Sequence, residues 1–169
     1  VPFDLMYGGT VFYPVHQNVI WTLLLGLLGI RLMEAARAKG KRWLYVLTCA
    51  AVVVLGFALG TLGMVDYYGA GVLTVFAFYI FRERKWWCLL GQLAALYWLN
   101  VAVLGGQMYP VTVFGREIEL CEQGLALLAL VPIWLYRGRQ GHHSKAFQYA
   151  CYAFYPAHML VLALLTMIQ

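Results

Sequence analysis

The segment KAFQYACYAFYPAHMLVLALLTMI, residues 145–168, decides the fold of this chain. It is long and apolar enough to cross a bilayer, for which a helix needs about 20 such residues. Pro156 and His158 stand near its middle, where proline frees a backbone carbonyl and an ionisable group is costly. Two interpretations stay open. His158 is either a neutral imidazole bonded to a neighbouring helix beside a tolerated kink, or part of a polar interior surface for chemistry or recognition.

The composition extends this conclusion to the whole chain. Hydrophobic residues make up 63% and charged residues 11%, against about 45–50% and about 25% in soluble domains. We therefore predict an all-α fold, a polytopic transmembrane helix bundle that forms a single integral membrane domain over residues 1–169. The four cysteines form no C-x-x-C pair and have no histidines at zinc spacing, so we expect no metal.

Six apolar stretches predict about six transmembrane helices. The first runs about 16 to 20 residues from Val19, and the others cover about residues 43–64, 69–81, 86–104, 120–136 and 145–168. Residues 1–15 are too interrupted by polar residues, glycine and proline to span, and they predict an interfacial segment. Residues 105–119 predict a polar, proline-containing loop. Gln92 and Asn100 lie two turns apart on the fourth helix, and we expect both to bond to neighbouring helices.

The charged residues give the orientation. The loops after helices one, three and five are basic, whereas those after helices two and four are acidic or mixed. The positive-inside rule therefore places the three basic loops in the cytoplasm. The formal charge of +5 follows this pattern, which is typical of membrane orientation rather than of nucleic-acid binding. We expect the lipid bilayer as a partner and no nucleic acid.

The predicted outer helix starts carry a set of polar residues. They are His16, Gln17 and Asn18 before helix one, Asp66 before helix three, and Glu122 with Gln123 at helix five. The acidic groups either stabilise helix N-termini or, with the others, line a shared cavity that opens outward. His158 lies about 18 Å from the cytoplasmic start of the last helix at 1.5 Å per residue. We expect His158 to meet that cavity just past the middle of a core about 30 Å thick.

Four motifs in order resemble one family over nearly the whole chain. They are Pro2-Phe3-Asp4-Leu5, His16-Gln17-Asn18-Val19 running into Thr22-Leu23-Leu24-Leu25-Gly26, Asp66-Tyr67-x-Gly69-x-Gly71, and Phe154-Tyr155-Pro156-x-His158. Together they resemble the TraX family of conjugation-associated integral membrane proteins, which is similar to membrane acyltransferases. The resemblance implies a multi-pass protein of the bacterial inner (cytoplasmic) membrane that acetylates a pilin N-terminal amine. It also implies acetyl-CoA as co-substrate, with a pilin-like protein or a small-molecule or glycan amine or hydroxyl as acceptor.

The resemblance, taken with residue placement, gives a set of site candidates. His158 is the candidate catalytic residue. The candidate substrate-binding residues are His16, Gln17, Asn18, Asp66, Tyr67, Glu122, Gln123 and Tyr155. The candidate partners of the CoA phosphates are the cations Arg82, Arg84, Arg137, Arg139 and Lys145; each of these cations is also explained by membrane orientation alone.

Members of the family carry upstream membrane helices with an Asp-His pair and an element containing arginine and proline, and neither is present in this sequence. We therefore expect upstream helices to be missing, with the base belonging to them or to His158. Two alternatives are kept: a transporter or channel in which Asp66, Glu122 and His158 relay an ion or polar solute, and a non-catalytic membrane assembly subunit. A homo-oligomer is compatible with all three.

Overall fold

The computed structural model describes residues 2–11, 13, 15–113, 115–136, 138, 141 and 144–168. The chain forms two compact units. One is Val19–Tyr136, and the other combines Val1–Asn18 with Arg137–Gln169.

The described part of the chain is mostly helical. In chain order its elements are α1 (Pro2–Gly8), α2 (Val19–Ala38), α3 (Arg42–Leu62), α4 (Tyr68–Ile80), α5 (Trp86–Tyr97), a π-helix (Trp98–Leu104), β1 (Met108–Val113), β2 (Arg116–Cys121), a 3-10 helix (Glu122–Ala129), α6 (Leu130–Leu135) and α7 (Lys145–Ile168). The described residues before α2 contain a single helix of seven residues, which is too short to span a bilayer.

Four of the six predicted spans have the length and apolarity to cross a membrane. They are Val19–Ala38, Arg42–Leu62, Trp86–Leu104 and Lys145–Leu165. The other two, Tyr68–Ile80 and Glu122–Leu135, are apolar helices of shorter length. The prediction of a membrane protein built of apolar helices agrees with this arrangement. Among the described residues, four helices rather than six meet the length that a straight crossing needs.

The expectation of an all-α fold with a polar loop over residues 105–119 was wrong in one place. Residues of β1 and β2 pair in an antiparallel hairpin with the register Met108↔Cys121 to Val113↔Arg116. Alternating β-branched residues such as Val111 and Ile118 favour strands. Pro110 is compatible with a strand here because a two-stranded sheet has two edges, where a missing N–H is tolerated.

Glycines set the packing of α2, α3 and α4. The Phe76 ring, 2% exposed, fills the space that side chains on Gly29 and Gly56 would need. A Cβ on either glycine would lie 2.5 or 2.6 Å from that ring. Gly60 and Gly69 bring α3 and α4 so close that a Cβ on Gly60 would lie 2.9 Å from the Gly69 Cα. This close approach is what small residues permit between membrane helices.

The second unit is built on α7, whose bounds are those predicted from the sequence. Pro156 lies inside this helix. The short helix α1 packs against α7, and its Phe3 side chain is 4% exposed. The Phe3 ring stacks on the ring of His16, with 5.7 Å between centroids. A short N-terminal helix thus covers part of a long apolar helix.

Candidate functional site

A cavity of about 340 Å³ lies in the Val19–Tyr136 unit, between α2, α4, the π-helix and the 3-10 helix. We call it the Asp66 cavity. Its polar lining residues are Thr22, Asp66, Tyr67, Thr74, Asn100 and Gln123, and its other walls are apolar. The structure thus brings together three of the predicted substrate-binding residues, from the starts of helices three and five. Glu122, a fourth candidate, is exposed and does not line the cavity.

The turn before α4 places Asp66 at the cavity. Met64, Tyr67 and Tyr68 have positive φ angles of 48°, 57° and 50°, which side chains rarely adopt and which cost of order 1 kcal/mol or more each. Tyr67 occupies the N-cap position of α4 and makes no side-chain cap hydrogen bond. Asp66 therefore precedes the cap position. Backbone strain of this kind persists only where surrounding contacts fix it, and it is frequent at functional sites.

Close contacts hold this turn against α2. The Thr22 hydroxyl donates to the Asp66 carbonyl at 2.9 Å. A Cβ on Gly71 would lie 2.6 Å from that carbonyl oxygen and 3.0 Å from Thr22 Cγ2. The glycines of the Asp66-Tyr67-x-Gly69-x-Gly71 motif therefore have a structural reason: Gly69 faces Phe57 of α3, and Gly71 faces the Asp66–Thr22 contact.

Asn100 supplies a second polar group from the π-helix. Its Nδ2 donates to the Leu96 carbonyl at 2.9 Å, in the turn where the helical register changes. A change from i−4 to i−5 bonding leaves a carbonyl to be satisfied, and π-helical turns are frequent at functional sites. The prediction of a helix-to-helix bond was wrong for Asn100, which bonds to its own helix. Its Oδ1 accepts no hydrogen bond from the residues that the structure describes.

Gln92, by contrast, makes the predicted contacts between elements. Its Nε2 donates to the Phe81 carbonyl at 2.9 Å, and its Oε1 accepts from Trp134 Nε1 at 2.7 Å. Both ends of this buried amide are satisfied, so Gln92 has a structural role.

His158 lies in the other unit, on α7. Its Nδ1 is 2.9 Å from the Phe154 carbonyl oxygen. A carbonyl only accepts, so Nδ1 carries the proton, and in the neutral ring Nε2 carries the free lone pair. The ring stacks on Phe154 with 5.1 Å between centroids, and the Tyr155 ring meets it edge-on at 5.4 Å. The motif residues thus fix both the tautomer and the plane of the imidazole.

The remaining candidates of this unit have separate positions. His16, Gln17 and Asn18 are partly buried, and Lys145 is the exposed first residue of α7. Arg137 and Arg139 lie outside the described residues. Because His158 and the Asp66 cavity belong to different units, their meeting stays a prediction.

A second cavity of about 340 Å³ lies at the opposite ends of α2 and α4, where the α2–α3 turn meets the end of α4. We call it the basic cavity. Its lining residues are Arg37, Gly40, Lys41, Arg42, Tyr45, Ile80, Arg82 and Glu83. Of the predicted phosphate-binding cations that the structure describes, Arg82, Arg84 and Lys145, only Arg82 lines it. The sequence carries a signal for the other cations that line this cavity, because a run of basic residues surrounds Gly40. Membrane orientation alone also accounts for such a run.

Arg82 is held in a local network. Its guanidinium donates to the Tyr79 carbonyl at 3.2 Å and to Glu34 Oε1 at 3.3 Å, and it lies 4.3 Å from the centroid of the Tyr79 ring. Tyr79 also donates its hydroxyl proton to Glu34. The hydrogen bond with Tyr79, followed by the nearby charges, raises the pKa of Arg82 above its ordinary value. Arg82 is therefore a fixed, fully charged wall of the basic cavity.

Arg84 has a different position. It donates to the carbonyls of Trp134, at 3.3 Å, and Tyr136. These carbonyls lie at the end of α6, where a cation satisfies acceptors that the helix leaves open. Arg84 thus joins α6 to the loop after α4 and does not line the basic cavity.

Comparisons with known proteins give one match. The model of the TraX protein family matches residues 1–166. No curated protein matches the chain, and no solved structure matches it. In the described part of the chain, no three His, Cys, Asp or Glu side chains are grouped so that they could hold a metal ion.

Proposed function

Because this chain belongs to the TraX family, we propose that it is an integral membrane acetyltransferase. It moves an acetyl group from acetyl-CoA to an amine, such as a pilin N-terminus, or to a hydroxyl acceptor. The family membership supports a conjugation-associated, pilin-related role. The single observation that carries the chemistry is the geometry of His158, whose Nδ1 is bound to the Phe154 carbonyl.

In this proposal His158 is the general base. Nε2 takes a proton from the acceptor nitrogen or oxygen as that atom attacks the thioester carbonyl. The new N–C or O–C bond forms, the C–S bond breaks, and the imidazolium returns the proton to the leaving thiolate. The bond from Nδ1 to the Phe154 carbonyl orients the ring and stabilises its charged form. If an upstream histidine is the base, His158 instead orients the acceptor.

The Asp66 cavity is the proposed acceptor site. The Asp66 carboxylate and the Asn100 Oδ1 are both acceptors of hydrogen bonds, which suits a donor such as an amine. The apolar walls strengthen such contacts by excluding water. Tyr67 and Gln123 line the same space, whereas His16, Gln17, Asn18 and Tyr155 belong to the unit that carries His158.

The acetyl-CoA donor approaches from the cytoplasmic side in this proposal. The positive-inside rule puts the basic loops there, and they contain the phosphate-binding candidates Arg82, Arg84, Arg137, Arg139 and Lys145. Among the three of these that the structure describes, Arg82 has the position that best suits a phosphate, because it lines a cavity with other cations.

The test is acetyl transfer by the full-length protein in lipid nanodiscs, with an N-terminal pilin-like peptide as acceptor. We expect His158→Gln to lower kcat by about 10²–10⁴-fold, because glutamine can donate to the Phe154 carbonyl but cannot take a proton. Thermal unfolding of the variant should match that of the wild type. Unchanged turnover would remove His158 from the mechanism, and an absence of turnover in the wild type would contradict the proposed function itself.

A further inference from the structure

Four cationic residues, Arg37, Lys41, Arg42 and Arg82, line the basic cavity. They come from three places in the chain: the end of α2, the start of α3 and the loop after α4. Folding therefore concentrates like charges around one concave space, which is unfavourable unless an anion or solvent compensates them.

The acidic groups near these cations already have partners, and one of those partners is Arg82 itself. Glu34 accepts hydrogen bonds from Tyr79 and Arg82. Glu83, the acidic residue that lines the cavity, pairs with Lys85 at 2.5 Å. Among the described residues, the side chains of Lys41 and Arg42 have neither a hydrogen bond nor an ion pair. Their charges are thus available to a ligand.

The backbone adds to the same field. Helix α3 begins at Arg42, and its N-cap residue Lys41 makes no side-chain cap hydrogen bond. Cations are normally disfavoured at this end of a helix, because the helix dipole is positive there. The tight turn before α3 depends on Gly40, which has a φ of +69°. The cations and the helix dipole both favour an anion in the cavity.

We propose that the basic cavity binds a phosphate group, with Lys41 and Arg42 as its free ligands, Arg37 and Arg82 as charged walls and Tyr45 as a hydroxyl partner. The inference rests on the proposed function for one of its two sources, the phosphates of CoA. The other source is the headgroup of an anionic lipid, because the positive-inside rule puts this cavity at the cytoplasmic membrane surface.

Lys41 and Lys39 provide a matched pair of variants. They lie two residues apart in the same turn, and Lys41 lines the cavity whereas Lys39 does not. Lys41→Gln and Lys39→Gln therefore remove the same charge from the same loop, so any effect on membrane orientation or net charge is shared. Arg42→Gln serves as a second cavity variant and should act in the same direction as Lys41→Gln.

Two arms of one experiment separate the sources, each with the full-length protein in nanodiscs. In phosphatidylcholine, CoA binding is measured by calorimetry with pantetheine, which lacks phosphates, as control. We expect Lys41→Gln to weaken CoA binding about fivefold to tenfold and Lys39→Gln less than about twofold. In the second arm, phosphatidylglycerol replaces part of the lipid without CoA, and the gain in Tm is measured.

If neither variant weakens CoA binding, but Lys41→Gln loses the phosphatidylglycerol-dependent gain in Tm and Lys39→Gln keeps it, the ligand is a lipid phosphate. The assignment of a phosphate site to the basic cavity then stands. If the two variants behave alike in both arms, the phosphate site is overturned. Neither arm measures acetyl transfer. If the protein does not transfer acetyl groups, the binding result is therefore unaffected. If Lys41→Gln does not change binding, acetyl transfer would require a CoA site elsewhere in the protein.

Discussion

The two cavities of the Val19–Tyr136 unit have the same size, about 340 Å³, and lie at opposite ends of α2 and α4. Their linings differ. Charged side chains from loops and helix ends surround the basic cavity. The Asp66 cavity is mostly apolar, and its hydroxyl groups on Thr22 and Thr74 donate to backbone carbonyls.

The two linings differ because different parts of the structure form each cavity. The basic cavity needs only cations near the membrane surface, where water screens unpaired charge. The Asp66 cavity needs α2 and α4 at close distance, where Gly71 leaves room for the contact between Asp66 and Thr22. We expect the Asp66 cavity to be sensitive to packing and the basic cavity to be sensitive to charge.

The largest effect should come from Gly71→Val, which should disrupt the packing around the Asp66 cavity and leave the basic cavity unchanged. A Cβ at this position would lie 2.6 Å from a backbone oxygen that cannot move without α2. We expect the free energy of unfolding to fall by about 2–3 kcal/mol and acceptor turnover to fall with it, while CoA binding at the basic cavity persists. Unfolding in mixed micelles measures the stability.

Gly141→Val is the control for Gly71→Val. Among the described residues, no atom lies within 4 Å of a Cβ built on Gly141, and its φ is not in the left-handed range. Its substitution should change stability by less than about 0.5 kcal/mol. Equal effects of the two valines would show that the contact with Asp66 does not set the packing of α4.

A smaller effect should distinguish Asp66 from Glu122, the two carboxylates at predicted helix starts. Asp66 lines the cavity, and Glu122 is exposed outside it. Asp66→Asn removes the negative charge that accepts a hydrogen bond from the acceptor amine in this proposal, and we expect KM for an amine acceptor to rise about fivefold to tenfold. Glu122→Gln should leave KM unchanged. A rise of the same size in both variants would indicate long-range electrostatics instead of a contact in the cavity.

Sequence reasoning predicted the long helices well. The bounds of α2, α3 and α7 follow from apolar length and from basic or glycine-containing breaks, which are local signals. The hairpin of residues 108–121 was missed because its short strands are mostly exposed and contain a proline. The 3-10 helix was read as part of a full span because its composition is apolar.

The candidate site was predictable in part for the same reason. Asp66 and Gln123 were found because polar residues at membrane helix starts are conspicuous. Asn100 was assigned to a helix contact, because a register change to a π-helix has no clear sequence signal. Lys41 and Arg42 were assigned to orientation, since only the folded turn shows that they share a cavity with Arg82.

The smallest effect should be the pH dependence of the pair Glu83–Lys85 at the rim of the basic cavity. Hydrogen bonding to Lys85 and its charge lower the pKa of Glu83 below its ordinary value of 4.5, and the same pair raises the pKa of Lys85. The stabilisation by Glu83 is therefore present above pH 4.5 and is lost as the pH falls through the lowered pKa. Both side chains are half exposed, so solvent screens most of it.

Glu83→Gln should consequently lower Tm slightly at pH 7. In acid, the Tm values of the variant and the wild type should become equal. The same variant removes the acidic side chain from the lining of the basic cavity. Its removal leaves the Lys85 charge unpaired, and the charges of Arg82 and Arg37 at the cavity also act on Glu83, so the field in the cavity becomes more positive. Because solvent screens exposed charges, we expect affinity for CoA to rise by less than about twofold. Calorimetry at pH 7 measures this change, and a larger gain would show that Glu83 repels the phosphate directly.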